Sequence, residues 1–265
     1  MSDNLKRTVY LPNMGFRHPV KLTQGLIVQW IGSMGLGWAL FLRDIKAEYR
    51  QSVMGISWVI FPPILTACLW IYLNKQRIIN IDPTGVPYPV FVLTSMLFWS
   101  SFAQSVVAPF TAMRAGISVI IKLNFPKEAL LISGILKVLF DLTIRSILVV
   151  IILFLFNVKL TLTALLAPVA LIMLVLLGFT IGFLLLPIGM LFTDISRFLH
   201  SFLPVWMLLS PVIYPVPKGR IGNLINSINP VSPLIVTARN WLFGESVAVF
   251  NNFMLVSGLT VIAFF

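Results

Sequence analysis

Two unbroken apolar runs, SILVVIILFLF over 146–156 and LLAPVALIMLVLLGFTIGFLLL over 165–186, decide what this chain can fold into. Neither run carries a charge, and neither alternates with the period of two that a membrane barrel strand requires. Helices are therefore predicted, because a helix satisfies its own backbone polar groups where no water can. The rest of the chain agrees. It is 58% hydrophobic and 10% charged over 265 residues, with a mean hydropathy of +0.98. A water-soluble core of that size would lack the polar surface to cover it. The fold class expected is an all-α integral membrane protein.

Six membrane segments are read at roughly 53–73, 88–109, 130–156, 163–191, 198–215 and 247–265. Before them come a polar, basic tail over 1–23, with no apolar region of a cleavable signal, and an amphipathic stretch over 24–52. Residues 53–265 form a single transmembrane domain in this reading. Eleven Lys and Arg fall on the side of the N-terminus and six on the other, which places both ends in the cytoplasm. The segment 216–246 is too apolar for an ordinary loop, and PLIVTARNWLF within it reads as a helix that dips into the membrane. The net charge of +11 lies between the apolar runs, so it is read as topology and anionic headgroups rather than nucleic acid.

Within 24–51, Ile27, Ile31, Met34, Trp38, Phe41, Ile45 and Tyr49 recur in steps of three and four, which makes one apolar helix face. Arg43, Lys46 and Arg50 border that face on one side, and Asp44 and Glu48 border it on the other. Such a helix is expected to lie flat on a membrane surface. Just beyond it, Pro62 and Pro63 are expected to kink the first span about half-way down.

Catalytic and metal chemistry find little footing. No phosphate-binding glycine loop occurs, so energy for uphill movement must come from an ion gradient or another polypeptide. His18 and His200 stand alone, and Cys68 is the single cysteine, so no metal site and no internal disulfide is expected. The third segment carries Lys137, Asp141 and Arg145 four residues apart. Asp141 can pair with a cation one turn either way, as a structural ladder or as part of a transport path. Among the aromatics, Phe98 with Phe102 and Phe202 with Trp206 share a face at i, i+4. With Trp58 and Phe61 they are candidates for lining a passage whose walls would touch sugar faces, although belt positions at the interface are the ordinary place for such rings.

Five stretches resemble, in order, the type 2 ABC exporter permeases that export polysaccharides: RDIKAEYRQSVMGISWVIFPPI, IIKLNFPKEALL, LVLLGFTIGFLLLPIGMLFTDISRFL, LLSPVIYPV and INPVSPLI. The resemblance runs from about residue 38 to 245. Thr193 stands where that family usually has a basic residue, and Pro62 and Pro63 stand where one proline is usual. The resemblance implies six spans behind an interface helix, with re-entrant helices before the last span. It implies a bacterial inner-membrane homodimer served by two copies of a separate cytoplasmic ATPase subunit, which would hold the ATP and Mg. The cargo implied is a lipid-linked polysaccharide of the O-antigen, capsular or teichoic acid type. Arg43, Asp44, Lys46, Glu48, Tyr49 and Arg50, with Lys122, Phe125, Pro126, Lys127 and Glu128, would meet the ATPase or lipid headgroups. Asn229, Pro230 and Pro233 would belong to an extracytoplasmic gate. An ion-coupled flippase or a membrane-embedded enzyme acting alone on a lipid-linked sugar remains the other reading.

Overall fold

The computed structural model describes residues 19–50, 52–122, 126–159, 161–217, 219, 222, 228–245 and 250–264. Its regular elements are helical throughout. Helix α1 is Pro19–Arg50, α2 is Phe61–Lys75, α3 is Tyr88–Lys122 and α4 is Lys127–Leu155. Then come α5 at Ala167–Leu191, α6 at Asp194–Leu209, α7 at Val231–Phe243 and α8 at Phe250–Phe264. Single 3-10 turns at Gly55–Val59 and Leu162–Leu166 lead into α2 and α5.

Among the described residues, three helical stretches are long and apolar enough to cross a bilayer: Tyr88–Ile117, Lys127–Leu155 and Leu162–Leu191. They form the centre of the molecule. Helix α3 packs on both α4 and α5, with α2 against its side, while α1 lies along α4 and α7 and α8 lie along α5. Helices α2, α6 and α8 have 15, 16 and 15 residues, so each rises only about 22–24 Å.

Close contact between α3 and α5 depends on glycine. Gly178 and Gly182 stand four residues apart on α5, the spacing that lets two membrane helices bring their backbones together. A Cβ on Gly182 would lie 2.6 Å from the Val106 carbonyl oxygen and 3.0 Å from Pro109 Cγ; one on Gly178 would lie 2.9 Å from the Phe102 carbonyl oxygen. Leu174, Phe102 and Val106 are sealed in the seam thus formed. Helix α1 meets α4 by the same device, since a Cβ on Gly37 would lie 2.6 Å from Ile132 Cγ2.

At the start of the bundle the structure departs from the sequence reading. The helix expected over 24–52 begins at Pro19. Pro62 and Pro63 occupy the first turn of α2 rather than the middle of a span. The first helical N–H to find an acceptor is that of Ile64, which donates to the Ile60 carbonyl, so neither proline removes a bond the helix would have made. The break in the chain falls before α2, at the 3-10 turn. Prolines inside helices are instead Pro109, Pro187 and Pro204.

Helix α7 is buried nearly all round, from Val231 to Asn240 without a gap. A helix so enclosed belongs to the protein interior, not to a loop. It ends on Gly244 at φ 75°, a left-handed cap at which the Glu245 N–H donates to the Asn240 carbonyl at 2.8 Å.

Candidate functional site

A cavity of about 800 Å³ opens between α1, α2, α3, α4 and α6. Its floor is one face of α3. Met96, Ser100, Ala103, Gln104, Val107, Thr111, Ala112 and Gly116 follow one another at helical spacing along it. Twenty residues of α-helix rise about 30 Å, the thickness of a bilayer's hydrocarbon core. Pro62, Pro63 and Thr66 of α2 form one wall, and His200, Leu203, Pro204 and Met207 of α6 another. Leu130, Ser133, Gly134, Lys137 and Val138 of α4 complete it, with Arg43 and Asp44 of α1 at one end. Gly116 and Gly134 let α3 and α4 close against each other beside the cavity, since a Cβ on Gly134 would lie 2.9 Å from Ala112 Cβ.

Charge is arranged around α4. The ladder read from the sequence does not pair within itself; each rung reaches another helix. Lys137 Nζ lies 2.5 Å from the Glu48 carboxylate of α1. The Gln104 amide of α3 donates to Asp141. Arg145 Nη1 donates to Ser101 Oγ of α3 at 3.3 Å. Asp141 and Arg145 are both buried between α3 and α4, where an isolated charge costs most. Cross-helix partners win because they lie in the same seam as those groups, facing them.

The charged residues of α1 have different surroundings. Lys46 and Arg50 are exposed, and Arg43 pairs with Asp44 at 2.8 Å. Asp44 and Glu48 face α4, Asp44 lying 3.5 Å from Ser133 Oγ. On the apolar stripe Ile31, Met34 and Trp38 point away from the bundle; Ser33, Gly37, Leu40 and Phe41 are the buried positions. Pro126 caps α4, with Lys127 and Glu128 in its first turn, where the Glu128 carboxylate opposes the positive end of the helix dipole. Phe125 and the side chains of Tyr49 and Lys122 lie outside the described residues.

None of the six aromatic candidates borders the cavity; Trp99, one of the chain's other aromatics, does. Phe98 and Phe102 are buried in the core. Trp58 and Phe61 meet edge to face at 5.9 Å and remain exposed. Phe202 stacks on Phe198 at 5.2 Å and leans on Trp206 at 5.6 Å, and Trp206 meets Phe102 edge-on at 5.4 Å. The i, i+4 pairs do share faces, and one of those faces is core.

Asn229 ties the start of α7 to the end of α6. Its carbonyl oxygen accepts from Trp206 Nε1 and from the Val231 N–H, each at 3.1 Å, and its amide donates to Ser210 Oγ at 2.8 Å. Pro230 is the N-cap of α7, and Pro233 is buried in its first turn. Arg239, counted from the sequence only among the six cations on the side away from the N-terminus, completes this corner. Arg239 is buried, donates to the Pro211 carbonyl at 2.9 Å and to Ser95 Oγ at 3.3 Å, and sits 4.0 Å from the centre of the Phe91 ring. A charged residue inside PLIVTARNWLF was its visible signal.

The family described as ABC-2 type transporter matches residues 36–243, from the middle of α1 to the end of α7. The chain belongs to the ABC-2 type transporter family. As a member it is an integral membrane protein and a transport component, which agrees with the apolar helices of its centre. Among its relatives, the O-antigen export system permease protein RfbA of Myxococcus xanthus is 24% identical over 237 residues, 86% of this chain and 88% of that protein. A protein of the same name from Klebsiella pneumoniae is 24% identical over 227 residues, 84% of each. A second from Klebsiella pneumoniae is 22% identical over 203 residues, 75% of this chain and 76% of its own.

Proposed function

We propose that this chain is the permease subunit of an ATP-driven exporter that moves a lipid-linked polysaccharide across the bacterial cytoplasmic membrane. Two copies would form the passage, with both ends of each chain in the cytoplasm, and two copies of a separate ATPase subunit would bind ATP and Mg beneath them. The cargo class is that of the O-antigen, capsular or teichoic acid polymers. The observation that carries this reading is the α3 stripe from Met96 to Gly116, which floors one continuous cavity over about the depth of a bilayer. The groove is mainly apolar, with Ser100, Gln104, Thr111 and Ser133 as polar points along it, and so offers both C–H contact and hydrogen bonds to a sugar chain. The names of the three relatives support the same cargo.

In this reading α2 to α6 and α8 supply six spans, the short ones tilted little and flanked by their 3-10 turns. The segment holding α7 is the re-entrant part, and Asn229 with Arg239 holds it. The exposed cations of α1, with Arg43 at the cavity end, attract the phosphates of the lipid-linked end and the neighbouring headgroups. ATP-driven closure then advances the polymer.

Buried Asp141 is the one feature that favours an ion-coupled carrier acting alone. Co-purification with a soluble ATPase, and transport that stops on ATP depletion while ion gradients are held, are the expected results. Transport that survives ATP depletion and collapses with the gradient would establish the other reading.

A further inference from the structure

The seam beside the cavity holds three buried polar atoms without partners among the described residues: Gln104 Oε1, Asp141 Oδ1 and Arg145 Nε. Asp141 is 3% exposed. Its Oδ2 takes the Gln104 amide, so Oδ1 and the amide oxygen are left as a pair of acceptors with no donor. Buried acceptors of this kind are normally satisfied. Gln104 borders the cavity and donates its amide to Asp141 in the seam, so the carboxylate is linked to the groove through Gln104.

We propose that Gln104 and Asp141 form a hydroxyl-recognition subsite in the wall of the groove, which takes one sugar unit of the transported glycan. This rests on the export reading for the class of cargo and adds where a sugar is held. A carboxylate accepts from two hydroxyls, and an amide both accepts and donates; together they complement the adjacent hydroxyls of a pyranose. Trp99, five residues earlier on α3, borders the same cavity, but its ring is buried against Phe102 and Trp206, so the hydroxyls are read by Gln104 and Asp141. Other ligand classes fit less well. The Asp141 carboxylate disfavours a phosphate, and Lys137 and Arg145, one turn to either side of it, disfavour a bound cation.

The test uses the full chain in lipid nanodiscs, with maltotriose, mannobiose and chitobiose as probes read by saturation-transfer NMR. Transfer to sugar ring protons is expected in the wild type. It should fall at least threefold in Gln104→Leu and in Asp141→Asn and stay unchanged in Ser146→Ala, whose hydroxyl donates to the Leu142 carbonyl of its own helix. If Asp141→Asn fails to fold, Gln104→Leu alone decides the outcome. No transfer from any probe in the wild type, or equal transfer in all variants, overturns the subsite and leaves those atoms to ordered water. The export reading is tested separately. Unchanged surface polysaccharide in a strain lacking the gene would sink that reading without touching the sugar-binding result.

Discussion

Lys137 of α4 reaches across to Glu48 of α1 and closes to 2.5 Å. With Asp44 beside Ser133 it forms the polar half of the α1–α4 contact, while Gly37 against Ile132 forms the close-packed half. Helix α1 is thus fixed to the same helix that carries Asp141 and Arg145 to α3. Motion of α1 would reach the floor of the cavity through α4.

Both partners of the Lys137–Glu48 pair are roughly 40–46% exposed, so its contribution is bounded at about 1 kcal/mol. Lys137→Glu and Glu48→Lys should each lower the melting temperature of the purified protein, and the double swap should recover most of the loss. A double variant no better than the sum of the singles would show that the pair does not hold α1.

Gly182→Ala should cost about 1–3 kcal/mol, because its new methyl meets the Val106 carbonyl oxygen at 2.6 Å. Gly32→Ala, with nothing within 4 Å, should instead stabilise α1 by about 1 kcal/mol. Thermal unfolding of the two variants in parallel tests whether the α3–α5 seam is as tight as described.

Pro62→Ala and Pro63→Ala should change stability by no more than about 0.5 kcal/mol. Both sit in the first turn of α2, ahead of the first intrahelical bond. A large shift in either, measured by the same melts, would favour the mid-span kink that the sequence suggested.

Arg239→Met should destabilise by about 2–4 kcal/mol, since it strips the Pro211 carbonyl and Ser95 of a charged donor and Phe91 of a stacked cation. Arg239→Lys should recover only part of this, because an ammonium lacks the planar fork. Full recovery with lysine would mean that charge alone matters at the corner between α6 and α7.

Much of this architecture was legible because lipid is an unforgiving solvent. The runs that became α4 and α5 could be nothing but helices. The four-residue spacing of Asp44 and Glu48 put them on one side of α1, and there they face α4. What could not be read was which face of a helix meets which neighbour. Phe98 and Phe102 share a face as their spacing said, but only the packing of α5 and α6 on α3 decides that this face is core. The groove floor escaped notice because Ser100, Ala103, Gln104 and Gly116 look unremarkable one by one, and become a surface only when α2, α4 and α6 stand around them. The proline expectation failed over one boundary, since a 3-10 turn moved the start of α2 to the residue before Pro62. Gly178 and Gly182 were visible as a four-residue repeat, and their partner on α3 was not.

The central claim is export of a polysaccharide powered by a separate ATPase. Its most direct test is removal of the gene from its host, with polysaccharide then measured separately on the cell surface and inside the cell. The account predicts loss of one surface polymer, its accumulation inside, and rescue by the wild-type chain only when the partner ATPase is active. Surface polysaccharide at wild-type levels without the gene, or rescue with an inactive ATPase, would contradict it.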